Sequence, residues 1–182
     1  MASQFRRSLI LSWFAEQAKM NLHVVLADLD CAEHQRDIVA MTDVYARDPM
    51  GAGGPLPEGV LAELIPALKR HPTTLIFLAY DGGEAIGIAT CFVSFSTFSA
   101  KQMINIHDLA VAPERRGAGV GKAILAAVEE EGRRRGFAKL TLEVHERNER
   151  AMRAYESFGF RHSGQGTPIG GALFFSKTIA ST

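Results

Sequence analysis

Apolar residues along this chain follow two periods. Short runs rich in β-branched and aromatic residues predict strands, and stretches in which apolar positions recur every three or four residues predict helices with one buried face. The run LHVVLAD (22–28) reads as the first strand. CAEHQRDIVAMTDVYARD (31–48) then places Ile38, Met41 or Thr42, and Tyr45 at helical spacing, and Pro49 stops it. A second helix is predicted over EGVLAELIPALKRH (58–71), where Pro66 is expected to kink or shorten it. TLIFLAY (74–80), the turn DGGE and AIGIATCFVSF (85–95) form a hairpin signal, and MINIHDLAV (103–111) is a further strand. From Gly117 to Arg135 the period is helical again, with Val120, Ile124, Leu125 and Val128 on one stripe and Gly136 placed to stop it. KLTLEVH (139–145) is a strand, NERAMRAYESF (148–158) a helix with Gly159 as its left-handed cap, and ALFFSKTI (172–179) a closing strand. The predicted order is β-α-α-β-β-β-α-β-α-β-β, an α/β fold with an antiparallel middle.

Composition adds limits. The length of 182 residues fits one domain, and no repeat, linker or low-complexity segment divides it. Twenty basic and twenty acidic residues cancel, so no overall field favours nucleic acid or an acidic membrane. Any anion site must be local. Cys31 and Cys91 lack metal-type spacing and suggest no disulfide framework; both read as filling apolar space in a reducing cytoplasm. Residues 1–20 form a separate N-terminal extension. FRRSLILSWFA (5–15) has two arginines before an apolar run, but Ser12 breaks the run and no convincing cleavage site follows, which argues against an export signal. It is too short to span a bilayer. Phe5, Leu9 and Trp13 would share one helical face, and Met20 is an alternative natural start.

The chemistry concentrates in RRGAGVGK (115–122), between a predicted strand and a predicted helix. A nucleotide-triphosphate loop would need glycine where Arg116 stands, and a hydroxyl where Ala123 stands. A dinucleotide fingerprint needs G-x-G-x-x-G, whereas the glycines at 117, 119 and 121 give G-x-G-x-G after antiparallel strands. What remains is Arg-x-x-Gly-x-Gly. Unpaired amides at a helix start carry partial positive charge. Without side chains at 117, 119 and 121 a pyrophosphate can approach them closely, and Arg115, Arg116 and Lys122 can add charge-assisted hydrogen bonds. A plain turn with solvated cations accounts poorly for this density of glycine, which costs conformational entropy.

LAVAPERRGAGVGKAIL followed by LTLEVHERNERAMRAYESFGF resembles the acetyl-CoA-binding core of the GCN5-related N-acetyltransferases (GNAT superfamily). The resemblance is specific over residues 104–161, through Arg-x-x-Gly-x-Gly, Asn-x-x-Ala-x-x-x-Tyr at 148–155 and Gly-Phe at 159–160; residues 21–100 match in pattern only. It implies a GNAT domain over 21–180, with a mixed, mostly antiparallel central sheet splayed between the fourth and fifth strands and flanked by helices. It further implies acetyl-CoA as co-substrate, with no metal and no covalent enzyme intermediate. The pantetheine arm would lie in the splay and pair with main-chain groups of Leu109, Ala110 and Val111. The loop Arg115, Arg116, Gly117, Ala118, Gly119, Val120, Gly121 and Lys122 would hold the pyrophosphate. By the same resemblance Asn148 hydrogen-bonds the cofactor and Tyr155 protonates the departing thiolate, which a phenol of ordinary pKa can do without a large shift. Seven residues apart, they would lie two turns along one helical face.

The general base has two candidates. His107 lies two residues before Leu109 and can face the cleft, with Asp108 on the other face unless a bulge turns it. Glu143, on the neighbouring strand, is the rival and can act through water. RDPMGAGGPLPEG (47–59) is expected to be a mobile lid or a flexible connector beside the acceptor site, with Asp48 available to meet a cationic amine. Phe92, Phe95 and Phe98 are candidates for an aromatic wall, at least one of them packing in the core. The reading is N-acetyl transfer to a primary amine, on a small molecule or peptide, by direct attack in a ternary complex. Its alternative is a non-catalytic acyl-CoA-binding or regulatory module. Neither nucleic acid nor membrane is an expected partner, and a homodimer using Trp13 or the last strand is suggested by family analogy alone.

Overall fold

The computed structural model describes residues 20–162 and 171–180. Residues 1–19 of the N-terminal extension, with Trp13, lie outside the described residues. The elements follow the predicted order: β1 (Leu22–Leu26), α1 (Ala32–Arg47), α2 (Glu58–Arg70), β2 (Thr74–Asp81), β3 (Glu84–Ser96), β4 (Lys101–Val111), α3 (Val120–Arg134), β5 (Lys139–His145), α4 (Glu149–Ser157), β6 (Arg161–His162) and β7 (Ala172–Thr178). The seven strands form one sheet in the order β1-β2-β3-β4-β5-β7-β6. Among the described residues only β4 and β5 run parallel, and the other pairs are antiparallel. No described helix is long and apolar enough to cross a membrane.

Alternation along the strands builds a core on each face. One face buries Phe77, Cys91, Ile104, Leu140 and Phe175 with Ile124, Leu125 and Val128 of α3 and Tyr155 of α4. The other buries Ile76, Leu78 and Ile88 with Ile38 and Met41 of α1 and Ile65 and Leu68 of α2. Gly87 lets α3 approach the sheet, because a Cβ there would lie 2.8 Å from Ile124 Cδ1. Cys91 fills apolar space as expected, whereas Cys31 is half-buried at the N-cap of α1.

Two local expectations change. Pro66 does not shorten α2, which runs through it to Arg70. The proline sits on the exposed face while Ile65 and Leu68 hold the buried one, so the backbone groups it disturbs stay within reach of water. The third helix begins at Val120 and not at Gly117. Gly117 and Gly119 have φ of +87° and +86°, a left-handed conformation that a helix cannot continue.

The site is created by a register change. β4 pairs β5 only through Ile104, Asn105 and Ile106, opposite Leu140, Thr141 and Leu142. Beyond that point β4 stays with β3 and β5 stays with β7, so the parallel pair splays. On the β3 side Thr90 faces Asp108 and Cys91 faces Ile106, leaving His107 as the extra residue of a bulge. The bulge reverses the alternation. Ile104 and Ile106 belong to the α3 face before it; Leu109 and Val111 belong to that face after it, and Ala110 joins the α1–α2 core. Asp108 is thereby placed on the α1–α2 side.

Candidate active site

The splay opens a cavity of about 470 Å³. Its floor is β4 from Ile106 to Val111, one wall is the loop from Arg115 into α3, and the other is β5 with the inner face of α4. Tyr45, Asp48 and Met50 close it from the end of α1. The cavity brings together His107, Leu109, Ala110, Val111, Arg115, Arg116, Gly117, Gly119, Val120, Gly121, Lys122, Glu143, Asn148 and Tyr155. Ala118 does not line it. Its side chain packs against the core and its N–H is turned toward Arg115 O at 3.4 Å.

The glycine loop has the form of an anion cradle. A Cβ on Gly117 or Gly119 would meet nothing within 4 Å, so open space lies over this backbone. Among the described residues no backbone acceptor faces the N–H groups of Gly117, Gly119, Val120, Gly121 or Lys122, and the ladder of α3 starts with Ala123 N–H donating to Gly119 O at 3.0 Å. Several amides at a helix start thus remain free beside an open volume, the donor set a pyrophosphate requires. The cations are arranged differently from the expectation. Arg115 pairs with Asp81 at 3.1 Å and Glu84 at 3.7 Å, on the β2–β3 turn. Arg116 donates from Nε to Val111 O at 3.0 Å and from Nη2 to Asp48 Oδ2 at 2.5 Å. Lys122 is exposed at the rim.

Asp48 therefore holds an arginine and does not stand free for an amine. Hydrogen bonding from Met50 N–H, opposed by partial burial and reinforced by Arg116 and then Arg150, holds its carboxyl below the usual range. The segment after it is tied back to α1 by hydrogen bonds. Gly51 N–H and Gly53 N–H donate to Asp48 O at 2.8 and 3.3 Å, Gly54 N–H to Ala46 O at 3.2 Å, and Leu56 N–H to Asp43 Oδ1 at 2.8 Å. Gly51 lies so close to α1 that a Cβ would come 2.2 Å from Tyr45 O.

Asn148 is the N-cap of α4, its Oδ1 accepting from Ala151 N–H at 3.1 Å. It thus precedes the helix that carries Tyr155, and both residues line the cavity. Tyr155 is buried, and burial, with Tyr45 nearby, pushes its phenol up to about 12. That is a weaker acid than the ordinary phenol expected from sequence. His107 and Glu143 are both exposed on the cavity wall. The His107 ring meets Phe92 edge-on at 5.5 Å, and Phe92 in turn packs on His71 at 4.8 Å. Phe95 and Phe98 are exposed and away from the cavity, so no wall of three phenylalanines forms. Burial raises the Asp108 carboxyl, with His107 opposing.

A model of the acetyltransferase (GNAT) family matches residues 38–160. The chain belongs to this family. Among GNAT relatives, an N-acetyltransferase of Bacillus subtilis is 32% identical over 103 residues, covering 57% of this chain and 68% of its own length. Streptothricin acetyltransferase of Streptomyces lavendulae is 36% identical over 111 residues, covering 57% of this chain and 56% of its own. The chain spans about half the length of this second relative. An aminoglycoside acetyltransferase from an uncultured soil metagenomic sample superposes with a TM-score of 0.69 over 81% of this chain and 93% of its own, at 18% identity, a likeness of fold.

Within the GNAT frame, sequence reasoning passed over Tyr45, Met50, His145 and Arg150, all of which line the cavity. Tyr45 registered only as a member of a helical stripe. The signal that could have singled it out is its place in the last turn of α1, directly before the glycine-rich segment. Burial, then Asp108 and Asp48, raise its phenol.

Proposed function

We propose that this chain is an acetyl-CoA-dependent N-acetyltransferase that acts on a primary amine by direct attack in a ternary complex. One observation carries the reading: a single cavity joins a cradle of free helix-start amides to His107, Glu143 and Tyr155 across the β4–β5 splay. The cradle would take the pyrophosphate of coenzyme A, and main-chain groups of Leu109, Ala110 and Val111 the pantetheine. Bound acetyl-CoA supplies an activated acyl group and a thiol leaving group.

The chain's own groups then orient the amine and manage charge and protons. A main-chain N–H of β4 beyond the splay donates to the carbonyl oxygen as it gains charge; such a preorganised donor contributes about 3 kcal/mol. His107 takes the proton from the incoming ammonium, with Glu143 as the rival through water. Exposure on the cavity wall suits both, since the proton must pass on to solvent. Tyr155 donates its hydroxyl hydrogen toward the sulfur that leaves. Its raised pKa keeps that proton in place throughout the neutral range but makes complete transfer harder than for an ordinary phenol. The hydrogen bond to sulfur therefore matters before transfer does.

Thiol release from acetyl-CoA, measured across a panel of amines that includes streptothricin, a polyamine, free amino acids and short peptides, tests the reading. Turnover with at least one amine, and binding of coenzyme A by calorimetry, are the expected results. Binding without turnover on any amine would leave an acyl-CoA-binding module, and tight nucleotide binding without coenzyme A affinity would overturn the assignment.

A further inference from the structure

The Asp48 carboxylate is the meeting point of three parts of the site. Its Oδ1 accepts from Met50 N–H at 2.8 Å and its Oδ2 from Arg116 Nη2, while its own N–H donates to Tyr45 O at 3.0 Å. Through Arg116 it reaches Val111 O, at the end of the strand that floors the cavity. Through its own carbonyl it holds Gly51 and Gly53. The Asp48 and Arg116 side chains are only 15% and 29% exposed, so the pair is partly withdrawn from water and its geometry is correspondingly firm. An arginine has five N–H donors in a rigid fork. Two are used here, and the other three belong to a side chain that lines the cavity beside Gly117 and Gly119.

We infer that Asp48 is a positioning residue that couples the donor cradle to the acceptor wall formed by Tyr45, Asp48 and Met50. The inference rests on the proposed binding of coenzyme A at the glycine loop. Phosphate oxygens in that cradle accept from the unused Arg116 donors and fix the guanidinium in its present rotamer. A fixed guanidinium holds the Asp48 carboxylate. The carboxylate and carbonyl of Asp48 in turn hold Met50, Gly51 and Gly53, so donor binding stiffens the wall against which the amine must be placed. Linkage makes the effect reciprocal: an acceptor that orders the wall raises affinity for the donor.

Amide hydrogen exchange of residues 50–54, in the full chain with and without saturating coenzyme A, tests this directly. In the unsubstituted protein coenzyme A slows exchange there by about fivefold or more, the lower end of ordinary coupling. Asp48→Asn and Arg116→Gln each abolish that slowing while calorimetry still detects coenzyme A, and Asp48→Glu restores part of it. A clip with a purely structural role would raise exchange in free and bound protein alike and leave their ratio unchanged in Asp48→Asn, which overturns the inference. Coenzyme A binding with no effect on residues 50–54 of the unsubstituted chain also overturns it. Failure of the unsubstituted chain to bind coenzyme A would remove the proposed function and this inference together. Should Asp48→Asn fail to fold, Arg116→Gln reports the same ratio.

Discussion

At the scale of single residues, Tyr155 and Gly119 make the most direct demands on experiment. Tyr155→Phe removes the only atom by which this side chain can donate to sulfur, and general-acid roles of this kind contribute about 10²-fold or more to rate. The expected result is a fall in kcat of that order with little change in coenzyme A affinity, read from steady-state kinetics and calorimetry. Because burial raises the phenol to about 12, its proton stays on as pH increases. The kcat profile should therefore show no alkaline loss from this group up to about pH 10, the value of an unburied tyrosine. The same shift has a stability sign. A folded pKa above the unfolded one favours the native state fully below about pH 10 and loses that contribution as pH rises through about 12. Gly119→Ala separates backbone strain from occupancy of the cradle. At φ +86° an alanine costs about 1 kcal/mol, visible as a small drop in Tm. Its methyl meets nothing in the protein but stands where the phosphate must lie, so coenzyme A affinity should fall by about tenfold. Equal affinities for Gly119→Ala and the unsubstituted chain would move the donor away from this loop.

At the scale of elements, the bulge in β4 decides which side chains see the cavity. Deleting His107 would remove the bulge and join Ile106 to Asp108, which already face the consecutive residues Cys91 and Thr90, so Leu109 and Val111 would keep the α3 face. Ala110 would likewise stay in the α1–α2 core, so both cores keep their residues. The deletion should therefore keep cooperative thermal unfolding and lose turnover, and His107→Gln, which keeps the extra residue, should also keep the fold and lose turnover; thermal melts and steady-state kinetics on both variants check this. The bulge also marks the limit of what the sequence discloses. Strands and helices were legible because each carries its period in the residues themselves. The glycine loop was legible because glycine adopts the left-handed backbone at 117 and 119 without steric cost. HDLAV, by contrast, alternates plausibly with or without an extra residue, and the choice comes from its pairing with β3. The Arg116–Asp48 pair spans 68 residues of chain and follows from the end of α1 being packed beside β4. Neither residue carries a local sign of the other. The loop after Asp48 conceals its contacts for a related reason: its glycines and prolines read as a lid or connector, while Gly51 is there because α1 leaves no room for a side chain.

At the scale of the whole molecule, the cavity depends on α3 and α4 keeping their spacing on one face of the sheet, and one side chain between them ties both. Lys177 of β7 donates to Glu129 Oε2 of α3 at 2.7 Å, and its ammonium lies 4.0 Å from the centroid of the Phe158 ring at the end of α4. The ammonium and carboxylate side chains are 19% and 15% exposed, so the pair is largely desolvated. Replacing one partner of such a pair leaves the other short of its counter-charge, which costs more than the pair itself contributes. Glu129 keeps a second, longer contact to Arg133 at 3.7 Å, and this moderates the loss. Lys177→Met should therefore destabilise the fold by about 2 kcal/mol, counting the lost cation–π contact. Since the tie lies beyond the cavity and touches none of its lining, a merely local loss of stability would leave coenzyme A affinity unchanged. If the spacing of α3 and α4 is what Lys177 maintains, affinity falls together with Tm, and Lys177→Arg, which retains charge and ring contact, recovers both. Thermal melts and calorimetry on the two variants decide between a tie that sets the width of the donor slot and one that only stabilises its base.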